Sequence, residues 1–158
     1  MSESHVLLLA FAIGVIAGSR ALTAPAVTAW AAHLSWINLH GTPLSFMGSI
    51  VTVMVFTLGA IGEIVNDKLP RTPSRLAPGG LIPRILFGGL SGAAMALGGG
   101  QAWWLGAVLG IVGCLAGAVV GYQLRMRIVN ALGVKDLYIA LLEDLVAVCG
   151  GLFIVSHL

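Results

Sequence analysis

Six apolar stretches, at roughly 5–19, 22–36, 45–66, 82–99, 102–123 and 137–156, leave this chain little polar surface to turn to water. Its eight Lys and Arg and six Asp and Glu make up 9% of 158 residues, where a soluble domain carries about 25%. So few charges cannot coat a globule, and 58% of the residues are hydrophobic. The composition excludes a water-soluble domain, a disordered chain and a nucleic-acid-binding domain. It predicts an all-α, polytopic integral membrane protein forming one membrane domain over 1–158, with five or six transmembrane segments.

A bilayer-crossing helix needs about 20 apolar residues. The last four stretches meet that length and the first two are short. They read as two thin spans, a re-entrant hairpin, or one long helix interrupted near Arg20, with Pro25 favouring a break. Charge placement discriminates between these readings. With six crossings and the first end outside, Arg20, Lys68, Arg71, Arg75, Arg84, Arg125, Arg127 and Lys135 all fall on the cytoplasmic side. The outer loops 37–44 and 99–102 then carry no cation, as the positive-inside rule requires. A five-span arrangement places Arg20 within the bilayer, where it needs a partner or water. Six segments are therefore expected, the second of them able to dip in without crossing. Trp30, Trp36, Trp103 and Trp104 then lie near outer ends, as an interfacial belt.

The first apolar run follows Glu3 and His5 rather than a basic stretch, so it reads as an uncleaved membrane segment. Cys114 and Cys149 both lie in apolar runs and read as packing residues, not a disulfide. Three segments fall in each half, 5–66 and 82–156, joined by the Pro- and Arg-rich loop 67–81. Gly14, Gly18 and Trp30 recur as Gly88, Gly92 and Trp104, an offset of 74 residues read from the numbering. Either this is coincidence in a chain with 22 glycines, or it marks an inverted repeat of three plus three, as in many transporters.

Gly106, Gly110, Gly113, Gly117 and Gly121 form a small-residue stripe on the fifth segment, spaced to share one helix face. Such a stripe lets another backbone approach closely. It serves either packing within the monomer or a homo-oligomer seam. In the 67–81 loop, prolines hold the chain extended and the cations face an anionic leaflet. That loop reads as a topology signal, or as a holder of phosphate or lipid headgroups through Arg71 and Arg75.

Three stretches carry a family likeness. They are Gly18-Ser19-Arg20-Ala21-Leu22-Thr23-Ala24-Pro25-Ala26, Asp67-Lys68-Leu69-Pro70-Arg71-Thr72-Pro73-Ser74-Arg75 and Lys135-Asp136-Leu137-Tyr138-Ile139-Ala140-Leu141-Leu142-Glu143-Asp144. Together they resemble a small bacterial membrane family catalogued as domain of unknown function 4126. The resemblance implies a multi-span domain of a bacterial inner (cytoplasmic) membrane over nearly the whole chain. It implies no activity and no functional residue.

The few ionisable groups near the spans are the remaining signal. Glu63 and Asp67 share a helix face, and Glu143 and Asp144 lie roughly 10–12 Å along the last segment from Asp136. A charge at bilayer centre costs about 2.5–3.5 kcal/mol on insertion scales. These carboxylates must be protonated, paired or wet. Arg20 is the natural partner, so a cluster of Arg20, Glu63, Glu143 and Asp144 is expected in the cytoplasmic half. It reads as structural glue or as a solute or proton site.

No His-Glu-x-x-His, Gly-x-Ser-x-Gly or phosphate-loop pattern occurs, so an enzyme is not expected. No cofactor motif is present, and the spacing of His5, His33, His40 and His157 does not specify a metal site. Two functions follow. One is a small transporter or channel-like protein with a polar intramembrane site. The other is a non-transporting scaffold, assembled through glycine faces, that binds lipid headgroups. Membrane lipids are the expected partners of either, and no substrate can be named.

Overall fold

The computed structural model describes residues 2–67, 78–132 and 136–158. Six helices follow one another: α1 (Glu3–Ser19), α2 (Thr23–His33), α3 (Ile50–Asn66), α4 (Pro78–Gly98), α5 (Trp103–Leu132) and α6 (Asp136–Ser156). A 3-10 turn, Ser45–Gly48, precedes α3, and the described residues contain no strand.

Neighbouring residues fix the helix directions. Phe11 and Val15 of α1 meet Gly113 and Gly117 of α5, so these two helices run parallel. Gly88 and Gly92 of α4 meet Gly110 and Gly106, so α4 runs against α5. Leu22 lies by Gly59 and Ala32 by Gly48, so α2 runs against α3. Val27 meets Gly151 of α6, while Ile16 of α1 meets Gly150. The chain therefore alternates direction through all six helices, as the six-segment reading expects. The end that gathers Arg20, Arg84 and Arg125 is called the basic end. The other carries His5, His33, His40 and His157 and is called the histidine end.

Lengths are unequal. α4, α5 and α6 are long and apolar enough to cross a membrane, whereas α1 and α3 are shorter apolar helices of 17 residues. At 1.5 Å per residue α1 spans about 25 Å, somewhat less than a ~30 Å hydrocarbon slab. α2, with 11 residues, covers about half of it. It is a separate helix that turns back from α1, not its continuation.

The surface and the core are inverted relative to a soluble protein. Leu8, Val55, Leu58, Leu86, Leu145 and Phe153 are each at least 60% exposed, while the buried set is rich in alanine and includes Gly14, Gly18, Gly88 and Gly92. Lipid tails solvate the outer leucines as well as any core would, so side-chain burial gives helices little reason to associate. Close backbone approach supplies it instead.

That approach divides the helices into two groups. α1, α4 and α5 pack most closely. A Cβ on Gly106 or Gly110 would overlap the carbonyl oxygens of Gly92 or Gly88, and one on Gly113 or Gly117 those of Phe11 or Val15. Four of the five stripe glycines are thus covered inside the chain. The second, looser group is α2 with α3 on one side and α6 on the other, and it rests on the first through α6 on α1 and α2 on α4. These groups interleave along the chain and do not follow the halves 5–66 and 82–156.

The 74-residue offset is only locally meaningful. Gly14 and Gly88 do meet the same residue, Gly110. An inverted repeat, however, puts equivalent residues at opposite ends, and Trp30 and Trp104 lie at the same histidine end. Their helices also differ, with 11 residues in α2 and 30 in α5.

Two helices end in related ways. Gly100 follows α4 with φ +73°, while Gln101 N–H donates to Ala96 O and Gly100 N–H to Leu97 O. This is the Schellman arrangement, which a glycine adopts without strain. Ser35 has the same place after α2, with φ 61° and Trp36 N–H on Ala31 O. A serine there carries the Cβ cost of the left-handed region, about 1 kcal/mol. Ser35→Gly is expected to raise stability by about that amount, read as a shift in the thermal unfolding midpoint in detergent; no change or a loss would count against the assignment.

Candidate functional site

The site is built around the turn between α1 and α2. After Ser19 the backbone becomes extended at Arg20, with φ −137° and ψ 106°. Leu22, the residue before α2, offers no side-chain cap. The first amides at this turn therefore need another acceptor. Glu63, on the last turn of α3, supplies it: Ala21 N–H and Leu22 N–H donate to its two carboxylate oxygens at 2.9 and 2.8 Å. The carboxylate also faces the positive end of the α2 dipole. Pro25 lies in the first turn, where its missing N–H is no loss.

At the end of α1 the reverse need arises, since its last carbonyls lack helical donors. Arg84 of α4 answers it, donating from Nε to Gly18 O at 3.2 Å and from Nη1 to Gly80 O at 2.6 Å. Its Nη2 lies 3.6 Å from Glu63 Oε1. The break in the chain is thus held by one acid and one arginine, each at the helix end whose dipole it complements.

Arg20 itself is fully buried. Its Nη2 donates to Asp67 Oδ2 at 2.9 Å and contacts Asp144 Oδ1 at 2.6 Å. Its Nε and Nη1 are buried with no hydrogen-bond partner among the described residues. Arg125 of α5 completes the cluster. It forms a two-pronged pair with Asp136 at 2.8 and 2.6 Å, bonds Asp67 Oδ2 at 3.1 Å, and lies 3.6 Å from Glu143 Oε2.

The expected cluster of Arg20, Glu63, Glu143 and Asp144 does gather at one end. Only Asp144 contacts Arg20 directly, however. Glu63 serves the backbone and Arg84, and Glu143 faces Arg125. The structure adds Asp67, Arg84, Arg125 and Asp136, so five of the six acidic residues in the chain meet here. Sequence reading assigned Arg84 and Arg125 to topology alone. The spacing of Asp67 four residues after Glu63 was the one signal that could have placed it. Arg71 and Arg75, the expected headgroup contacts, lie outside the described residues. No group of three or more His, Cys, Asp or Glu that could hold a metal occurs among the described residues.

The charges are sorted by helix group. The cations come from the glycine-packed group or its edge: Arg84 on α4, Arg125 on α5, and Arg20 on the turn leaving α1. The carboxylates come from the other group: Glu63 and Asp67 at the end of α3, and Asp136, Glu143 and Asp144 on α6. Among the described residues, one group presents arginines to this cluster and the other presents acids. Side chains of Glu143 and Asp144 retain 16% and 11% exposure.

Glu63→Ala removes the acceptor for both amides at the α2 start. A buried donor left unsatisfied costs about 1–3 kcal/mol. The expected result is a loss of that size or larger, with Glu63→Gln recovering part of it through its one amide oxygen. Equal stability of Glu63→Ala and wild type, by detergent thermal unfolding, would contradict the capping role.

Fold and site together define an all-helical membrane protein with an ion-pair cluster at one end of the bundle. The chain belongs to the family described as Domain of unknown function (DUF4126), whose model matches residues 7–157. No curated protein and no solved structure matches it.

Proposed function

We propose that this is a small transporter of a bacterial cytoplasmic membrane, in which the two helix groups rock against each other about the Arg20 turn. The observation that carries the reading is the sorting of charge. Among the described residues, arginines on α4, on α5 and on the turn leaving α1 meet carboxylates on α6 and at the end of α3, so the cluster holds that end closed. Buried ion pairs add little net stability over apolar packing. Glu63 and Arg84 cap the helix ends at the turn, but the pairs of Arg20 and Arg125 with Asp67, Asp136, Glu143 and Asp144 have no such duty, which supports a use besides cohesion. Irregular backbone at membrane depth occurs where it is buried in protein or lines a cavity, and the turn at Arg20 between α1 and the short returning α2 is irregular backbone of that kind. Asp144 against Arg20, with Glu143 against Arg125, is where a proton could exchange for an ion pair.

The test is proton movement in proteoliposomes loaded with a pH-sensitive dye, under an imposed potential. Wild type is expected to move protons above the rate of empty vesicles, and Asp144→Asn, still folded, to lose that movement. A wild-type rate equal to empty vesicles, or an unaltered rate in a folded Asp144→Asn, would overturn the proton-coupled reading.

A further inference from the structure

A groove of about 390 Å³ runs along the outside of α2, between α3 and α6. Its walls come from the acid-bearing helix group and the segment after α2, including Val27, Ile61, Ile64, Val148 and Leu152. It would therefore move with that group as a unit. From Thr23 to Leu34 it extends eleven residues of rise, about 16 Å, half of a ~30 Å hydrocarbon slab.

Its polar content is small and uneven. Trp30 Nε1 donates to Thr57 Oγ1 at 3.0 Å. At the foot stands Thr23, three residues beyond Arg20. Its hydroxyl is buried and has no hydrogen-bond partner among the described residues. A sugar, amino acid or inorganic ion would lose its hydration in such a groove with almost nothing to replace it. A methylene chain loses nothing, and one oxygen-bearing end group at Thr23 would satisfy the remaining hydroxyl.

We infer that the groove binds a single-chain amphiphile of the long-chain carboxylic acid type, chain along α2 and end group at Thr23. This rests on the transport reading only in making that molecule the cargo; binding itself can be tested separately. The volume suits one chain, and the groove opens sideways to where such a molecule dissolves.

The experiment is photolabelling in vesicles of neutral phospholipid with a diazirine-bearing palmitic acid. A diazirine-bearing diacyl phospholipid serves as comparison. The expected result is saturable labelling of α2, α3 and α6 by the palmitic acid probe, competed by unlabelled palmitic acid. Val148→Trp and Ala60→Trp, which fill the groove, should lower labelling at least fivefold. Val148 is partly exposed, so its variant keeps the test valid if Ala60→Trp does not fold. Thr23→Val should weaken competition by about three- to tenfold, the size of one hydrogen bond. Non-saturable labelling, equal labelling of the same peptides by the phospholipid probe, or labelling unchanged in a folded Val148→Trp would overturn the inference. Saturable binding without any flux would instead retain the groove and reject transport.

Discussion

Replacing Arg20 with methionine is expected to destabilise the protein by about 3–5 kcal/mol, enough to abolish the folded form in most detergents. The loss comes less from the missing ion pair than from what remains. Asp67 and Asp144, with side chains 12% and 11% exposed, lose a shared cation in a place where water cannot fully replace it. Arg20→Lys is expected to recover only part of the loss. A lysine ammonium is a single point and cannot reproduce the planar guanidinium between residues of two helices. The double variant Asp144→Asn with Arg20→Met should be less damaged than Arg20→Met alone, because one of the two carboxylates that lost the arginine is neutral. Thermal unfolding of the four proteins measures this. If Arg20→Met unfolds within a few degrees of wild type, the pair is not the hub described here.

The second large effect concerns backbone contact. Gly110→Val is expected to cost at least about 3 kcal/mol, because its side chain would occupy the position of Gly88 O and crowd Gly92 Cα. No rotamer relieves an overlap that begins at Cβ. Gly62 provides the contrast, having nothing within 4 Å of a built Cβ. Gly62→Ala lies in the interior of α3 and should raise stability by about 0.5–1 kcal/mol. Opposite signs at these two glycines would confirm that the α1–α4–α5 group is held by backbone proximity. A folded Gly110→Val of wild-type stability would refute it.

Much of this fold was legible because membrane chains obey few rules. Apolar length and cation placement located six helices and their alternating directions. Arg20 was legible because a cation in an apolar run demands a partner, and Asp144 because a carboxylate far along α6 demands one too. The pairings were less legible. Which acid meets which arginine depends on how closely the helices approach, and that is set by Gly14, Gly88, Gly92 and Gly110 on three different helices. Arg84 and Arg125 also obey the positive-inside rule, so their second role left no separate trace. The interleaving of the two helix groups was hidden for the same reason: the fifth-segment stripe indicates a close partner but not which one. The groove on α2 was invisible, since Val27, Ile61 and Leu152 read the same whether they face lipid at large or one bound chain.

The central claim is that the acid-bearing helix group separates from the arginine-bearing group at the basic end, letting water reach the Arg20–Asp144 pair. Thiol accessibility tests it most directly. Cys114 and Cys149 are replaced by alanine, and a single cysteine is placed at Ala147, which is buried one turn beyond Glu143. A second protein carries Leu145→Cys, which faces outward at 60% exposure, as a lipid-facing control. Each is treated in vesicles with a membrane-impermeant thiol reagent from either side. Labelling at 147 from the basic side, with 145 protected, is the predicted result. Protection of 147 from both sides in a folded protein would mean that the cluster never opens, and would contradict the account.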